Sequence, residues 1–255
     1  MTDHDASRPS GKNPPGWASS LLRQFSIQGS WNYRSLLGTG FAFSMIPLLR
    51  KRGLSGEELD VAVRSHMGSF NSHPYLAGVA LGAVAKMESD GTDAETIEKF
   101  KRAIQGSLGG LGDVLIWGAW RPATVLLALV LAWAGTPVWV PIGVFLALYN
   151  VGHVTLRWWG YSRGLRHGKD VGMRLRRAEL SGLAERVFSG GALLLGILAG
   201  VFLVSRFAAQ EAGALWAFAG IAAFGIGHRF GHRSLRRTTL VVLLVITLLT
   251  ALGNA

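Results

Sequence analysis

The chain has 255 residues, 26 Lys and Arg against 15 Asp and Glu for a formal charge of +11, 49% hydrophobic residues, 16% charged residues and no cysteine. So low a charged fraction, with a mean hydropathy of +0.31 and a pI near 10.8, excludes disorder and is ordinary for an integral membrane protein with arginine-rich connections. The missing cysteine excludes a disulfide scaffold, a thiolate metal site, a cysteine nucleophile and a phosphocysteine.

Residues 1–20 are polar, carry Pro14-Pro15 and lack the apolar core of a signal peptide. They read as a disordered cytoplasmic tail, followed by an amphipathic, glycine-rich core segment over 21–122 and a membrane-spanning region over 123–255. Trp17, Leu21, Leu22 and Phe25 have helical spacing and suit the headgroup layer. Ser55 to Glu58 matches a capping box, and the helix it starts carries Leu59, Val63, Met67 and Phe70 on one side. Thr92 to Glu95 repeats the signature before Ile97, Phe100, Ile104 and Leu108, with Glu95–Lys99 and Glu98–Arg102 as i,i+4 pairs. No strand-like alternation occurs, so the expected class is an all-α integral membrane protein. It would have amphipathic interfacial helices first, a broken or re-entrant hairpin next, and transmembrane helices at the C-terminus.

Four stretches carry no charged side chain: Ala123 to Tyr149, Val187 to Ser205, Ala212 to Gly227 and Thr238 to the end. A span needs about 20 apolar residues, and a soluble protein of this size rarely carries four such runs. The first is interrupted by Gly135-Thr136-Pro137 and flanked by Arg121 and Arg157. Its halves, about a dozen residues or roughly 18–20 Å each, fit a re-entrant hairpin with both ends inside; one tilted, proline-kinked span fits as well. Arg157 to Arg186 holds eight Lys and Arg, and Arg229 to Arg237 holds four. The positive-inside rule places both segments in the cytoplasm and Ser205 to Glu211 outside. The same charge pattern explains the basicity without nucleic acid.

The chemistry concentrates before the first long apolar run. Asn71, Ser72, His73 and Pro74 form a polar cluster between Phe70 and Tyr75. Amides and imidazoles donate and accept, and aromatic rings stack on the C–H faces of a sugar, so the cluster suits a neutral polyol; a capped turn between two helices is the plainer reading. Asp113 follows glycines 109, 110 and 112 and opens an apolar segment. It is either a functional carboxylate at the edge of hydrocarbon or a helix cap in a glycine turn. His228 and His232 have the spacing of metal ligands but sit among four arginines without a third ligand, so they read as a solvated loop. Trp158-Trp159 reads as an interfacial anchor. A catalytic triad, a P-loop and a zinc motif are missing, so no cofactor or metal is expected.

In order, QGSWNY (Gln28–Tyr33), GFAFSMIPLLRK (Gly40–Lys51), RSHMGSFNSHPYLAG (Arg64–Gly78), GSLGGLGDVLIWGAWRP (Gly106–Pro122), YNVGHVTLRWWGYSRG (Tyr149–Gly164) and LAERVFSGGALLLGILAG (Leu183–Gly200) resemble one family. It is the IID membrane subunit of the mannose/fructose/sorbose class of the phosphoenolpyruvate-dependent sugar phosphotransferase system. The resemblance implies pairing with a IIC subunit in a permease of several IIC–IID copies in the bacterial inner membrane, with a cytoplasmic N-terminus. A hexose-like sugar would pass through and be phosphorylated by the soluble IIB component, charged by IIA, leaving this subunit without catalytic residues. It assigns sugar contact to Asn71, Ser72 and His73, with Asp113 in the GxGD run in a structural or gating role; Asp113 and Trp117 complete the candidate substrate-binding set. The chain departs from the family at Gly68, where an acidic residue is usual, and at Gly106 to Gly110. The segment from Ser205 to Glu211 is also shorter than usual. Those departures motivate an alternative, a IID-like membrane protein with a regulatory or receptor role and no transport.

Overall fold

The computed structural model describes residues 14–177 and 180–207. Among them the chain is helical, with two isolated bridges, Asn32 to Leu36 and Leu36 to Phe70, in place of any strand. It forms two compact units. Of the described residues, one unit holds those up to Leu115 and from Asn150 to Ser181; the other holds Ile116–Tyr149 and those from Gly182 to Phe207.

The first unit is built around helix α4 (Ala77–Ser89), preceded by α1 (Trp17–Arg23), α2 (Gly38–Lys51) and α3 (Gly56–Ser65) and followed by α5 (Ala94–Gly112). Every residue of α4 from Ala77 to Ala85 is buried. Its small side chains let a second helix, α7 (Trp139–His167), approach backbone to backbone. A Cβ on Gly82 would stand 2.2 Å from the Tyr161 carbonyl oxygen and 2.9 Å from the Leu165 nitrogen, and one on Gly164 would stand 2.3 Å from the Val79 oxygen. Glycines spaced four apart on both helices, 78 and 82 against 160 and 164, therefore make the small-residue seam by which membrane-protein helices pack.

Pro47 lies inside α2 and cannot donate a hydrogen bond to the Phe43 carbonyl. Arg23 Nη1 donates to that carbonyl at 3.2 Å, with its guanidinium 4.4 Å from the centre of the Phe43 ring. The α1 stripe is thus split: Trp17 and Leu21 pack on the core, while Leu22 and Phe25 remain exposed. Helix α1 also begins inside the stretch read as a tail.

Helix α3 starts where the sequence places it, but Ser55 makes no capping bond. Gly56 turns the backbone left-handed at φ +52°, so the serine oxygen does not meet the third amide. For α5 the cap is Asp93 rather than Thr92: its Oδ1 accepts from the Thr96 amide at 2.8 Å, a bond that holds the carboxyl below its ordinary range. Glu95 and Lys99 pair at 2.6 Å as expected, and Glu98 also takes Lys101 at 3.0 Å. Glu88 on α4 receives Arg52 and stands 3.2 Å from His66 Nε2, tying the ends of α2 and α3 to the central helix.

The glycine-rich end of α5 is not the turn the sequence suggests. The helix continues through glycines 109, 110 and 112, widens to π geometry over Asp113–Trp120 and runs on as α6 (Arg121–Trp133). Asp113 stands inside this run and does not cap its start.

In the second unit, α6 ends at Gly135, whose φ of +75° reverses the chain, and Thr136 Oγ1 donates to the Leu131 carbonyl at 2.8 Å. Pro137 precedes α7, so the break is a turn between two helices and not a kink in one span. The arms exceed the expected dozen residues. One belongs to a 40-residue helical run, Ala94–Trp133, and the other is the 29-residue α7. Arg121 does not end its arm, because the helical run passes through it from Ala94 to Trp133; its guanidinium lies 5.2 Å over the Trp117 ring. The facing sides of α6 and α7, including Leu129, Ile142 and Phe145, enclose a wholly apolar cleft. After a short helix α8 (Val171–Arg177), helix α9 covers Leu180–Phe207.

Among the described residues three helical runs are long and apolar enough to cross a membrane: Ala94–Trp133, Trp139–Leu175 and Leu180–Phe202. The two later charge-free stretches, and His228 and His232, lie outside the described residues.

Candidate functional site

The Asn71–His73 loop lies along α5. The Asn71 amide donates to Gln105 Oε1 at 2.8 Å, fixing the loop where Asn71 itself is exposed. His73 packs on Gly112 so closely that a Cβ there would meet its imidazole carbons at 2.2 and 2.3 Å. That contact is why glycine occurs within a helix at this point. The His73 carbonyl accepts from the Leu76 and Ala77 amides at 3.0 and 2.9 Å, so the loop leads directly into α4.

His73 is 2% exposed, and its Nδ1 accepts from the Tyr75 amide at 3.2 Å. Accepting at Nδ1 assigns the proton to Nε2 of a neutral ring. Burial lowers its pKa to about 4; the Asp113 carboxylate opposes that shift and the Arg157 guanidinium adds to it. Ser72 is buried beside it, with Oγ 3.4 Å from the His73 carbonyl. The structure therefore brings Asn71, Ser72, His73 and Asp113 together in the first unit. Trp117 belongs to the second unit, where it meets Arg121.

Behind the loop stands a group that sequence reasoning counted differently. Arg157 on α7 is 3% exposed, although the charge pattern placed it among the cytoplasmic cations. Its Nη1 donates to the Gln24 carbonyl, and its Nε donates to His153 Nε2 at 2.8 Å. The guanidinium lies 5.1 Å from the Phe25 ring and 5.2 Å from the Tyr75 ring. Tyr75 stacks on His153 at 4.2 Å and meets His73 edge-on at 5.0 Å. Arg157 and His153 thus brace the polar loop from behind. The legible signal was an arginine one helical turn after a histidine within a hydrophobic helix, an expensive placement that by default marks function. Of the two tryptophans that follow, Trp158 is exposed, while Trp159 packs on the core.

Gly68 carries no acid, but the space beside it is not without one. The Glu98 carboxylate oxygens lie 3.8 and 3.9 Å from where a Gly68 Cβ would stand.

The neutral His73 gives a pH prediction. Between pH 6.5, where an ordinary histidine titrates, and about 4, the unfolded chain takes up a proton that folded His73 refuses. Stability therefore falls as pH falls through that window, by up to about 3 kcal/mol. Thermal midpoints of the detergent-solubilised protein and of His73→Asn, compared from neutral pH down to pH about 4.5, measure it. The two should converge on acidification; a constant difference would refute the assignment.

Long apolar helices of this kind are those of a membrane protein. The family model for the IID component of the mannose/fructose/sorbose family of the phosphotransferase system matches residues 17–212. The mannose-specific EIID component of Escherichia coli K12 is 30% identical over 192 residues, covering 73% of this chain and 65% of that protein. The fructose permease IID component of Bacillus subtilis is 29% identical over 193 residues, covering 74% and 68%. The chain thus spans about two thirds of the length of these relatives. A solved structure of the mannose transporter ManYZ with microcin E492 superposes with a TM-score of 0.57 at 23% identity, over 85% of this chain and 96% of that one. A second structure, described only as a membrane protein, reaches 0.65 at 22% identity, over 94% and 95%. The chain belongs to the IID component family of the mannose/fructose/sorbose phosphotransferase system.

Proposed function

We propose that this chain acts with a IIC-type membrane subunit as the transport core of a phosphotransferase permease. The core binds a hexose-like sugar at the Asn71–His73 loop and moves it inward for phosphorylation by a soluble IIB component. The N-terminus and the basic Arg157–Arg186 connection face the cytoplasm, and several IIC–IID pairs assemble. The observation that carries this reading is the loop itself, which combines an exposed amide, a buried hydroxyl and a neutral imidazole beside the Asp113 carboxylate. The amide, hydroxyl and imidazole donate and accept hydrogen bonds without charge, as a neutral polyol requires, and the carboxylate adds an acceptor.

Trp117 and Asp113 are proposed as further contacts, Asp113 as an acceptor for sugar hydroxyls. The phosphotransfer chemistry is assigned to the soluble components, as the family resemblance implies. The alternative, a receptor without transport, rests on Gly68 and on the shortened Ser205 to Glu211 segment. The nearby Glu98 carboxylate weakens its first support, and the second lies largely outside the described residues.

Asn71 and Asp113 are both exposed, so Asn71→Ala and Asp113→Asn test the site without disturbing the core. In the chain co-purified with its IIC partner, each lost sugar hydrogen bond should weaken hexose binding by about tenfold, the weight of about 1–1.5 kcal/mol. Calorimetric affinities unchanged in both variants would remove the loop from the sugar site. Failure of the wild-type pair to restore uptake in a permease-deficient cell would favour the receptor reading.

A further inference from the structure

Away from the polar loop, the first unit holds a groove of about 530 Å³ between α5 and residues Lys169–Leu175 with Leu180 and Ser181. Its floor is Ile104, Leu108 and Leu180, all buried. Its polar edge is formed by Lys169, Ser107 and Ser181, and all the other side chains that line it are apolar. Its lining residues Lys169–Leu175 close the run Trp139–Leu175, and Leu180 and Ser181 open the run Leu180–Phe202, both long and apolar enough to cross a membrane. Residues 163–174 carry Arg163, Arg166, Lys169 and Arg174 against one carboxylate, Asp170.

We propose that this groove binds an anionic phospholipid, with an acyl chain on the apolar floor and the phosphodiester at the Lys169 ammonium and the two serine hydroxyls. An apolar floor edged by an ammonium and two hydroxyl donors matches the two ends of such a lipid. A soluble phosphate would use the edge and leave the floor wet; a neutral lipid would leave the Lys169 ammonium without an anionic partner. The positive-inside pattern assigns the groove to the cytoplasmic leaflet, whose anionic headgroups attract juxtamembrane cations. The site is independent of the sugar reading, because it shares no residue with the Asn71–His73 loop.

The test uses the full chain in nanodiscs of phosphatidylglycerol mixed with phosphatidylcholine, with native mass spectrometry reading the lipid retained on release. The wild type should retain phosphatidylglycerol in preference to phosphatidylcholine. Lys169→Glu should reduce that retention about five-fold, the weight of about one surface cation near an anionic membrane. Gly172→Leu should abolish it with the charges intact, because Gly172 lines the groove and has open space where a side chain would start. Both variants alter exposed or open positions, so their thermal midpoints should match the wild type. Equal retention of the two lipids, or retention untouched in either variant, would overturn the proposal. So would full displacement by glycerol phosphate, which would make the site one for soluble phosphate.

Discussion

Gly82→Ala should lower the thermal midpoint of the detergent-solubilised chain by about 6–12 °C, the equivalent of about 3 kcal/mol in a protein of this size. The added carbon would stand 2.2 Å from the Tyr161 carbonyl oxygen and 2.9 Å from the Leu165 nitrogen, and backbone atoms cannot rotate away. The seam between α4 and α7 must therefore open along its length. Alanine is otherwise the better helix former by about 1 kcal/mol, so the measured loss is already net of that gain. The matched control is Gly110→Ala in α5, where nothing lies within 4 Å of the new carbon. There the propensity acts alone and the midpoint should rise. Equal responses at the two positions would show that the helices do not touch at Gly82.

Arg157→Ala is expected to cost about 3 kcal/mol and to loosen the polar loop. It removes one of the two donors to the Gln24 carbonyl, which keeps the Ile27 amide, takes away the donor to His153 Nε2, and removes the cation from between Phe25 and Tyr75. Hydrogen exchange should rise over residues 70–76 while the interior of α4 stays protected, a regional signature that uniform destabilisation does not give. Sugar affinity of the co-purified pair should fall about tenfold, since re-ordering about one residue of the loop costs 1–2 kcal/mol on binding. Arg157→Lys keeps the charge but not the planar fork, so it should recover stability in part and loop protection least. Unaltered exchange at 70–76 in Arg157→Ala would mean that the loop holds itself.

Much of the helical order was legible. The signatures read from Ser55 and from Thr92 stand at real helix starts, the second with its cap one residue later at Asp93, and Gly135 with Pro137 marks a real reversal, because these effects act within a few residues. What stayed hidden depends on partners distant in sequence. Gly112 looks like turn punctuation until His73 is seen packed on it, and the π segment has no signature that periodicity at 3.6 residues detects. Arg157 was miscounted for the same reason. A charge beside an apolar stretch resembles any positive-inside charge, and only the fold shows that it points inward to Gln24. Asn71, Ser72, His73 and Asp113 were legible as a group because three are adjacent and the fourth follows a distinctive glycine run. Their bracing by His153 was not.

The repair of α2 by Arg23 has a consequence for how the sequence is free to drift. A proline whose vacated acceptor is served from a neighbouring helix ceases to be a defect and becomes a tether, so positions 23 and 47 form a single epistatic unit. Loss of the arginine leaves the Phe43 carbonyl unserved only while the imino acid remains; once residue 47 regains a hydrogen to donate, the guanidinium keeps only its place over the Phe43 ring, and Trp17 and Leu21 hold the first helix.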